Sequence, residues 1–152
     1  MENFPSSGLH KVRLVYSYEM HSVEVTPYVM RSVDSLKIVR ADDITYQHKF
    51  EGRKELNDLF AQRGASDDVI IVKNNLITDS SYANLVFKIK DHWVTPRSYL
   101  FNGTMRQQLI DRKIIIEENI VLSDLERYES VKLINAMLLF DGPEIEVSKI
   151  VK

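Results

Sequence analysis

The chain has 152 residues, of which 44% are hydrophobic and 28% charged, with only 5 glycines and 4 prolines. This balance fits one ordinary globular domain, or one domain with a short appendage, and excludes disordered, collagen-like and low-complexity chains. Its 20 basic and 22 acidic side chains give a formal charge of −2 and a pI of about 6.1. Because binding to a phosphate backbone usually needs a strong positive field, this charge argues against nucleic acid as a partner.

The composition also excludes several kinds of site. The sequence has no cysteine, which rules out disulfides, thiolate nucleophiles and cysteine-ligated metal centres. Its 4 histidines show no metal-ligand spacing, so no metal site is predicted. No apolar run approaches the roughly 20 residues of a membrane span, and the first residues do not resemble a signal peptide. We therefore expect a cytoplasmic protein with no membrane partner.

The first predicted elements form a β-hairpin. In residues 10–16, Val12, Leu14 and Tyr16 alternate with polar or charged side chains, which is the period-two pattern of a half-buried strand. Residues 22–26 repeat this alternation after a polar break. The two segments therefore predict two paired antiparallel strands.

A linker follows the hairpin. Pro27 and a polar segment interrupt the alternation, and this predicts a connector over residues 27–34. We therefore expect a small N-terminal unit, residues 1–34, and a main domain, residues 35–152.

The main domain alternates strand and helix patterns. Residues 53–63 predict a helix, because Leu56 and Leu59 share one face and Gly64 can form a left-handed C-terminal cap. The β-branched run 69–72 predicts a strand that is covered on both faces. With the other segments, these patterns predict a mixed α/β fold of roughly eight strands and three helices. The other predicted strands cover residues 35–39, 83–90, 92–95, 131–137 and 144–147, and the other helices cover residues 104–112 and a short segment that begins at Ser123 through a capping box with Glu126.

The strongest chemical feature of the residues alone is the junction from Asn102 to Arg106, where Gly103 precedes a predicted helix. Glycine lets backbone amides approach an anion closely, and the first N–H groups of a helix carry about half a positive charge. The junction is therefore a candidate phosphate site. The alternative is an ordinary helix start that Asn102 or Thr104 caps with its side chain.

Two other segments carry candidate chemistry. Residues 78–81 place the carboxylate of Asp79 and three hydroxyls between two predicted strands. The alternative is an Asx-type turn, in which such side chains bond to their own backbone. Lys49 precedes the helix that starts near Arg53, and the alternative there is a solvated lysine at a strand end. The residues alone do not choose between these interpretations.

The order of these segments resembles the core of the class IV, or fold type IV, pyridoxal-phosphate enzymes. That family includes branched-chain and D-amino-acid aminotransferases and aminodeoxychorismate lyase. The resemblance implies an α/β fold with a large C-terminal domain built on a pseudo-barrel sheet, and a truncated small N-terminal domain. The segments that carry the resemblance are residues 46–53, 68–72, 76–85, 93–96, Leu100, 103–106 and 134–137.

The resemblance implies a role for each candidate residue. Lys49, four residues before Arg53, corresponds to the lysine that forms a Schiff base with pyridoxal 5'-phosphate and moves the substrate α-proton. Asp79 corresponds to the acid that faces the pyridine nitrogen, where many members have glutamate. The remaining candidates are implied to bind the cofactor or to organise the backbone around it: Arg53 and Asn84, then Gly103, Thr104 and Met105 in the first phosphate loop, and Asn135 and Ala136 in the second.

The resemblance also implies a reaction and partners. It predicts an enzyme of the amino acid transaminase or 4-amino-4-deoxychorismate lyase type, which acts on a small amino-group substrate as a homodimer. Relatives have a longer N-terminal region, commonly with a phosphate-holding arginine, so an N-terminally shortened member is expected. Two alternatives stay open. One is a non-catalytic homologue that keeps the fold for cofactor binding or protein association, and the other is a binding module unrelated to pyridoxal phosphate.

Overall fold

A computed structural model describes residues 7–46 and 52–152. The chain divides into two compact units, Met1–Arg31 and Ser32–Lys152, and each contains its own sheet. The described residues form strands β1 (His10–Tyr16), β2 (Met20–Pro27), β3 (Leu36–Arg40), β4 (Asp68–Lys73), β5 (Leu76–Ser80), β6 (Asn84–Ile89), β7 (His92–Pro96), β8 (Ile115–Glu118), β9 (Ser130–Ile134), β10 (Glu144–Glu146) and β11 (Ile150–Val151), with helices α1 (Lys54–Ala61) and α2 (Thr104–Asp111) and 3₁₀ segments at Leu122–Arg127 and Val147–Lys149.

The first unit is the predicted hairpin. β1 and β2 pair antiparallel, with Leu14 opposite Val23. The side chains of Leu14 and Tyr16 stay exposed, at 51% and 74% of their reference area. The alternation therefore correctly indicates strands, although the apolar side chains on β1 are not buried.

The second unit is built on a nine-stranded mixed sheet in the order β10-β9-β6-β5-β4-β3-β11, with β7 joining β6 to β8. β3 runs parallel to β4 and β11, and β7 runs parallel to β8, whereas the other pairs are antiparallel. β6 pairs along its length with β9, with β5 at its first residue and with β7 towards its end. The predicted mixed α/β fold is confirmed.

β4 is buried on both faces, as its apolar run predicts. Val69 and Ile71 pack in one cluster with Leu56 and Leu59 of α1. The intervening residues of β4 pack in the larger cluster formed with β5, β6 and β9. Since burying one aliphatic side chain contributes roughly 1.5–3 kcal/mol, this strand anchors the sheet between two cores. The second helix, α2, places Met105 and Leu109 in a third cluster with residues of β6, β8 and β9.

Two local predictions about polar residues are wrong. Residues 78–80 do not lie between strands, because β5 includes them and Thr78 Oγ1 donates a hydrogen bond to the Ile71 carbonyl of β4 at 2.9 Å. The capping box at Ser123 does not form, since Ser123 lies within a 3₁₀ segment that begins after Val121 and has no side-chain cap. At Thr78 a hydrogen bond to another strand decides the structure, and at Ser123 the chain forms a 3₁₀ segment instead of the predicted helix start.

The predicted left-handed conformation of Gly64 is confirmed, and three strands were not predicted. Gly64 adopts a left-handed conformation after α1, with φ of 61°, and Asn74 and Asn75 both have positive φ in the turn after β4. The missing strands are β5, β8 and β11. β8 and β11 have 4 and 2 residues, which is too short for a periodic pattern to stand out.

Candidate functional site

The candidate site centres on the β5–β6 corner, residues 79–84. Asp79 and Asn84 lie opposite each other where the two strands meet, and both are buried. Ser80 closes the turn between them: its backbone N–H donates to the Ala83 carbonyl at 2.9 Å, and its hydroxyl accepts the Ala83 N–H at 3.0 Å. The corner is therefore a rigid feature that presents two buried polar side chains to one side.

The carboxylate of Asp79 accepts three hydrogen bonds from distant segments. Asn84 Nδ2 donates to Oδ1 at 2.8 Å, and the backbone N–H groups of Leu100 and Phe101 donate to Oδ2 at 2.8 and 3.0 Å. The local Asx-turn interpretation of Asp79 is therefore wrong. Burial raises the pKa of Asp79 to about 6, although these hydrogen bonds and the charge of Arg106 oppose the shift. Asp79 is thus a carboxyl group whose charge responds to small changes in its surroundings.

Asn84 connects this acid to the start of α2. Its Nδ2 also donates to the Phe101 carbonyl at 2.8 Å, and its Oδ1 accepts the backbone N–H of Gly103 at 3.2 Å. Gly103 is the residue that immediately precedes the helix. The acid and the predicted phosphate loop therefore share one side chain as a neighbour.

Among the described residues, no side chain caps the N-terminus of α2, which begins after Gly103. Asn102 instead bonds to helix side chains, accepting from Arg106 Nη1 and donating to Gln107 Oε1, each at 3.0 Å. The interpretation that Asn102 or Thr104 caps the helix is therefore wrong. The N–H groups of Thr104 and Met105 lie in the first turn, where the helix dipole favours an anion.

The second predicted phosphate segment lies next to the same corner. β9 ends at Ile134, which pairs with Asn84, so the predicted strand over residues 131–137 stops three residues early. Asn135 Oδ1 accepts the N–H groups of Met137 and Leu138, both at 2.9 Å, and turns the chain there. Its Nδ2 donates to the Tyr82 carbonyl in the corner at 3.4 Å. Ala136 is exposed on this turn.

Arg53 also reaches the corner. It precedes α1, and its Nη2 donates to the Ser81 carbonyl at 2.6 Å. Lys49, the predicted catalytic residue, lies outside the described residues. The structure therefore brings Asp79, Asn84 and Gly103 into one hydrogen-bonded group, with Arg53 and Asn135 bonded to its edge.

Two buried charged residues also support this region. Asp68, at the start of β4, accepts the N–H and hydroxyl of Ser81 at 3.2 and 3.1 Å. Arg106 in α2 donates to the Pro96 carbonyl at 3.0 Å and pairs with Glu117 at 2.5 Å. The sequence patterns gave Asp68 no role. The available signal was a charged residue at the head of an otherwise apolar buried strand.

A surface groove and two searches of the described residues add no further site residue. A surface groove of about 470 Å³, lined by residues from 125–129 and 146–152, contains none of the predicted site residues. Within the described ranges 7–46 and 52–152, no group of three acidic or histidine side chains could hold a metal ion. None of the helices there has the length and apolar character to cross a membrane.

Comparisons with known proteins show which family the chain resembles. The sequence profile of the amino-transferase class IV family matches residues 16–140. A protein of Haemophilus influenzae is 36% identical over 129 residues, which cover 85% of this chain and 69% of that protein.

Solved structures give the same picture of the fold. The crystal structure of a candidate 4-amino-4-deoxychorismate lyase from Haemophilus somnus is 36% identical, with a TM-score of 0.82 over 86% of this chain and 67% of its own. A candidate amino-acid aminotransferase from Mesorhizobium loti gives a TM-score of 0.79 at 20% identity, over 93% of this chain and 73% of its own. A hypothetical aminotransferase from Mycobacterium tuberculosis in its PLP-bound form gives 0.72 at 18% identity, over 88% of this chain and 58% of its own. At these lower identities the likeness concerns the fold alone.

Proposed function

Because the chain belongs to the class IV aminotransferase family, we propose that it is a pyridoxal-phosphate-dependent enzyme of the amino acid transaminase or 4-amino-4-deoxychorismate lyase type. One observation carries the proposal: a buried carboxyl group and an uncapped helix N-terminus are joined through Asn84. A ligand with a basic ring nitrogen and an anionic arm needs both groups.

The residues present fit this cofactor. The N–H groups of Thr104 and Met105 would hold the phosphate at the positive end of α2, and the turn at Asn135 and Ala136 would close its other side. Asp79 would hold a proton on the pyridine nitrogen. When bound and so protonated, pyridoxal phosphate supplies an electron sink for a carbanion at the substrate Cα.

The proposed catalytic residue is Lys49. It would hold the cofactor aldehyde through its amine and move the proton at the substrate Cα. An amine can do this only when it is partly deprotonated, and burial or a nearby positive charge lowers a lysine pKa. The proposal assigns this charge to Arg53, four residues later in the sequence, which is anchored to the corner through the Ser81 carbonyl.

The substrate is proposed to be a small primary amine, either an amino acid or 4-amino-4-deoxychorismate. The 36% identity to a candidate 4-amino-4-deoxychorismate lyase supports the second choice. The two reactions give different products. A lyase releases pyruvate from a single substrate, whereas a transaminase needs a keto acid as the second substrate.

We also propose that the chain acts as a homodimer. Val12 and Leu14 are about half exposed on the hairpin, at 49% and 51%, and a second copy is one way to cover such apolar side chains. Light scattering coupled to size-exclusion chromatography should give twice the chain mass. A monomer at every concentration would contradict this part of the proposal.

The central test is cofactor binding by the purified chain. Adding pyridoxal phosphate should give a new visible absorbance band that Lys49→Ala abolishes. Borohydride reduction followed by peptide mass spectrometry should place a pyridoxyl group on Lys49. Lys54→Ala is the matched control, because Lys54 is exposed and pairs with Asp58 on the outer face of α1. A chain that gains no band would overturn the proposed function.

A non-catalytic homologue is the second candidate, and one observation favours it. Both oxygens of Asp79 already accept hydrogen bonds from the chain itself, so the acid has a structural role without any ligand. This candidate predicts cofactor binding without turnover. Pyruvate release or amino transfer with any one amine would decide against it.

A further inference from the structure

Asn84 uses its whole carboxamide within the candidate site. Its Nδ2 donates to Asp79 Oδ1 and to the Phe101 carbonyl, both at 2.8 Å, and its Oδ1 accepts from the Gly103 N–H at 3.2 Å. The side chain is 6% exposed, so water does not replace these partners easily. These contacts reach two segments that are far apart in sequence, β5 and the loop that leads into α2.

The chemistry of the partners allows only one kind of side chain here. A carboxylate and a carbonyl only accept hydrogen bonds, whereas a backbone N–H only donates. The neighbour of all three must therefore carry a double donor and an acceptor in one short group. Asparagine satisfies this requirement, while aspartate would place a second carboxylate against Asp79 and alanine would leave buried groups without partners.

Gly103 provides an independent sign of the same contact. Its φ of −66° is open to any residue, so the backbone conformation does not require glycine. A Cβ atom at this position would lie 2.3 Å from Asn84 Oδ1, which is far inside the contact distance. The Asn84 carboxamide therefore excludes a side chain at the residue that starts α2.

We propose that Asn84 is the positioning residue that joins the two ends of the cofactor site, an inference that rests on the proposed function. Through its nitrogen it fixes the carboxylate of Asp79, and through its oxygen it fixes the backbone at the start of α2. The separation between the ring-nitrogen partner and the phosphate-binding N–H groups is therefore set before any ligand arrives.

The first test removes the hydrogen bonds that the Asn84 side chain makes to Asp79 and to the Gly103 N–H. Asn84→Ala should weaken the binding of pyridoxal phosphate by about tenfold or more, which is the scale of one hydrogen bond to a charged group. It should also weaken inorganic phosphate, which probes the α2 end alone. Fluorescence titration measures the first ligand, and calorimetry the second.

A matched control separates positioning from general loss of stability. Thr95 is fully buried in β7, and its hydroxyl donates to the Leu85 carbonyl beside Asn84 at 2.8 Å. Thr95→Val should lower the melting temperature while leaving the affinity for both ligands unchanged. Equal affinity losses in Thr95→Val and Asn84→Ala would overturn the inference.

The second test asks whether the Asn84 carboxamide is the group that excludes a side chain at position 103. Gly103→Ala alone should reduce phosphate affinity by about tenfold or more, because the new Cβ displaces the carboxamide. In the Asn84→Ala background the same change should cost less than about twofold, since the obstructing group is gone. The same loss in both backgrounds would overturn the inference. If Asn84→Ala does not fold, Gly103→Ala alone still decides, because an unchanged phosphate affinity would contradict the contact.

The two proposals fail in different ways. A wild-type chain that binds neither pyridoxal phosphate nor inorganic phosphate would overturn both. A wild-type chain that binds them, together with an Asn84→Ala variant that binds equally well, would overturn the inference alone.

Discussion

The β5–β6 corner and the β1–β2 hairpin contain similar polar side chains but place them in different surroundings. In the corner, Asp79 and Asn84 are buried, and their partners lie in other segments of the chain. In the hairpin, Arg13 and Glu24 form a cross-strand pair at 3.3 Å, and both side chains are largely exposed. Because water and salt compete with exposed pairs, bonds of similar length contribute more to stability in the corner.

This difference shows which of the two regions depends on contacts between distant segments of the chain. Burying a polar group costs free energy unless the group finds a hydrogen-bond partner. A cluster of buried polar side chains is therefore stable only where each side chain has such a partner. At the corner these contacts also reach the residue before α2 and the turn after β9. The Arg13–Glu24 pair connects two neighbouring strands of the hairpin, and we expect its loss to leave ligand binding unchanged.

The largest effect is expected from Arg106→Ala. Arg106 is 1% exposed and donates to Pro96, Asn102 and Glu117, so its removal leaves three acceptors without their donor. The guanidinium is buried while the Glu117 side chain is 35% exposed, so the expected cost comes from the lost hydrogen bonds of a charged group, and the free energy of unfolding should fall by about 3 kcal/mol or more. Urea unfolding measures this loss, and Arg106→Lys should recover only part of it, because lysine lacks the planar fork. A loss below about 1 kcal/mol would contradict the importance of burial.

The next effect concerns pH. Because burial raises the pKa of Asp79 to about 6, the folded chain holds this proton more tightly than the unfolded chain does. The contribution of Asp79 to the stability of the wild type should therefore fall as pH rises from about 4 to about 6, by about 3 kcal/mol for a shift of about two units. Asp79→Asn has no such proton. Urea midpoints across this range should move in favour of the variant as pH rises, and parallel curves would contradict the shift.

A smaller loss of stability is expected when the same substitution, serine to alanine, is made once in each region. Ser81→Ala removes the hydroxyl that donates to the buried Asp68 carboxylate at 3.1 Å, so the free energy of unfolding should fall by about 2 kcal/mol. Ser17→Ala removes a hydroxyl that bonds to His21 at 2.7 Å in the exposed hairpin, and it should cost less than about 0.5 kcal/mol. Equal costs by urea unfolding would remove the distinction between the regions.

The sequence predicts the local structure well where a local rule applies. Gly103 before an amphipathic segment predicts the start of α2, and the apolar run 69–72 predicts a strand buried on both faces. Both features depend on residues close together in the chain. The resemblance to a family adds the order of these segments, which no single motif provides.

The sequence fails where partners lie far apart. Asp79 accepts from N–H groups 21 and 22 residues later, so the local turn rule chooses the wrong partner. Gly103 is predicted as a residue that lets the backbone approach an anion, yet its missing Cβ makes room for a side chain 19 residues earlier. Asp68 gives no periodic signal, because an aspartate before an apolar run has the sequence pattern of an ordinary exposed strand end. In the structure its side chain is buried. Contacts between residues so far apart in the sequence can be identified only once the fold is known.

The smallest effect is expected from Glu24→Ala in the hairpin. Glu24 and Arg13 are 53% and 43% exposed at the side chain, so water competes with the pair and salt screens it. Exposed pairs of this kind contribute about 0–1 kcal/mol, and the change should leave both the urea midpoint and the affinity for inorganic phosphate at their wild-type values. Arg106→Ala and Glu24→Ala each break one ion pair, but Arg106 belongs to the helix that starts at the candidate site, whereas Glu24 belongs to the hairpin. A Glu24→Ala variant with weakened phosphate binding would show that the hairpin contributes to the site, and the contrast between the two regions would then no longer hold.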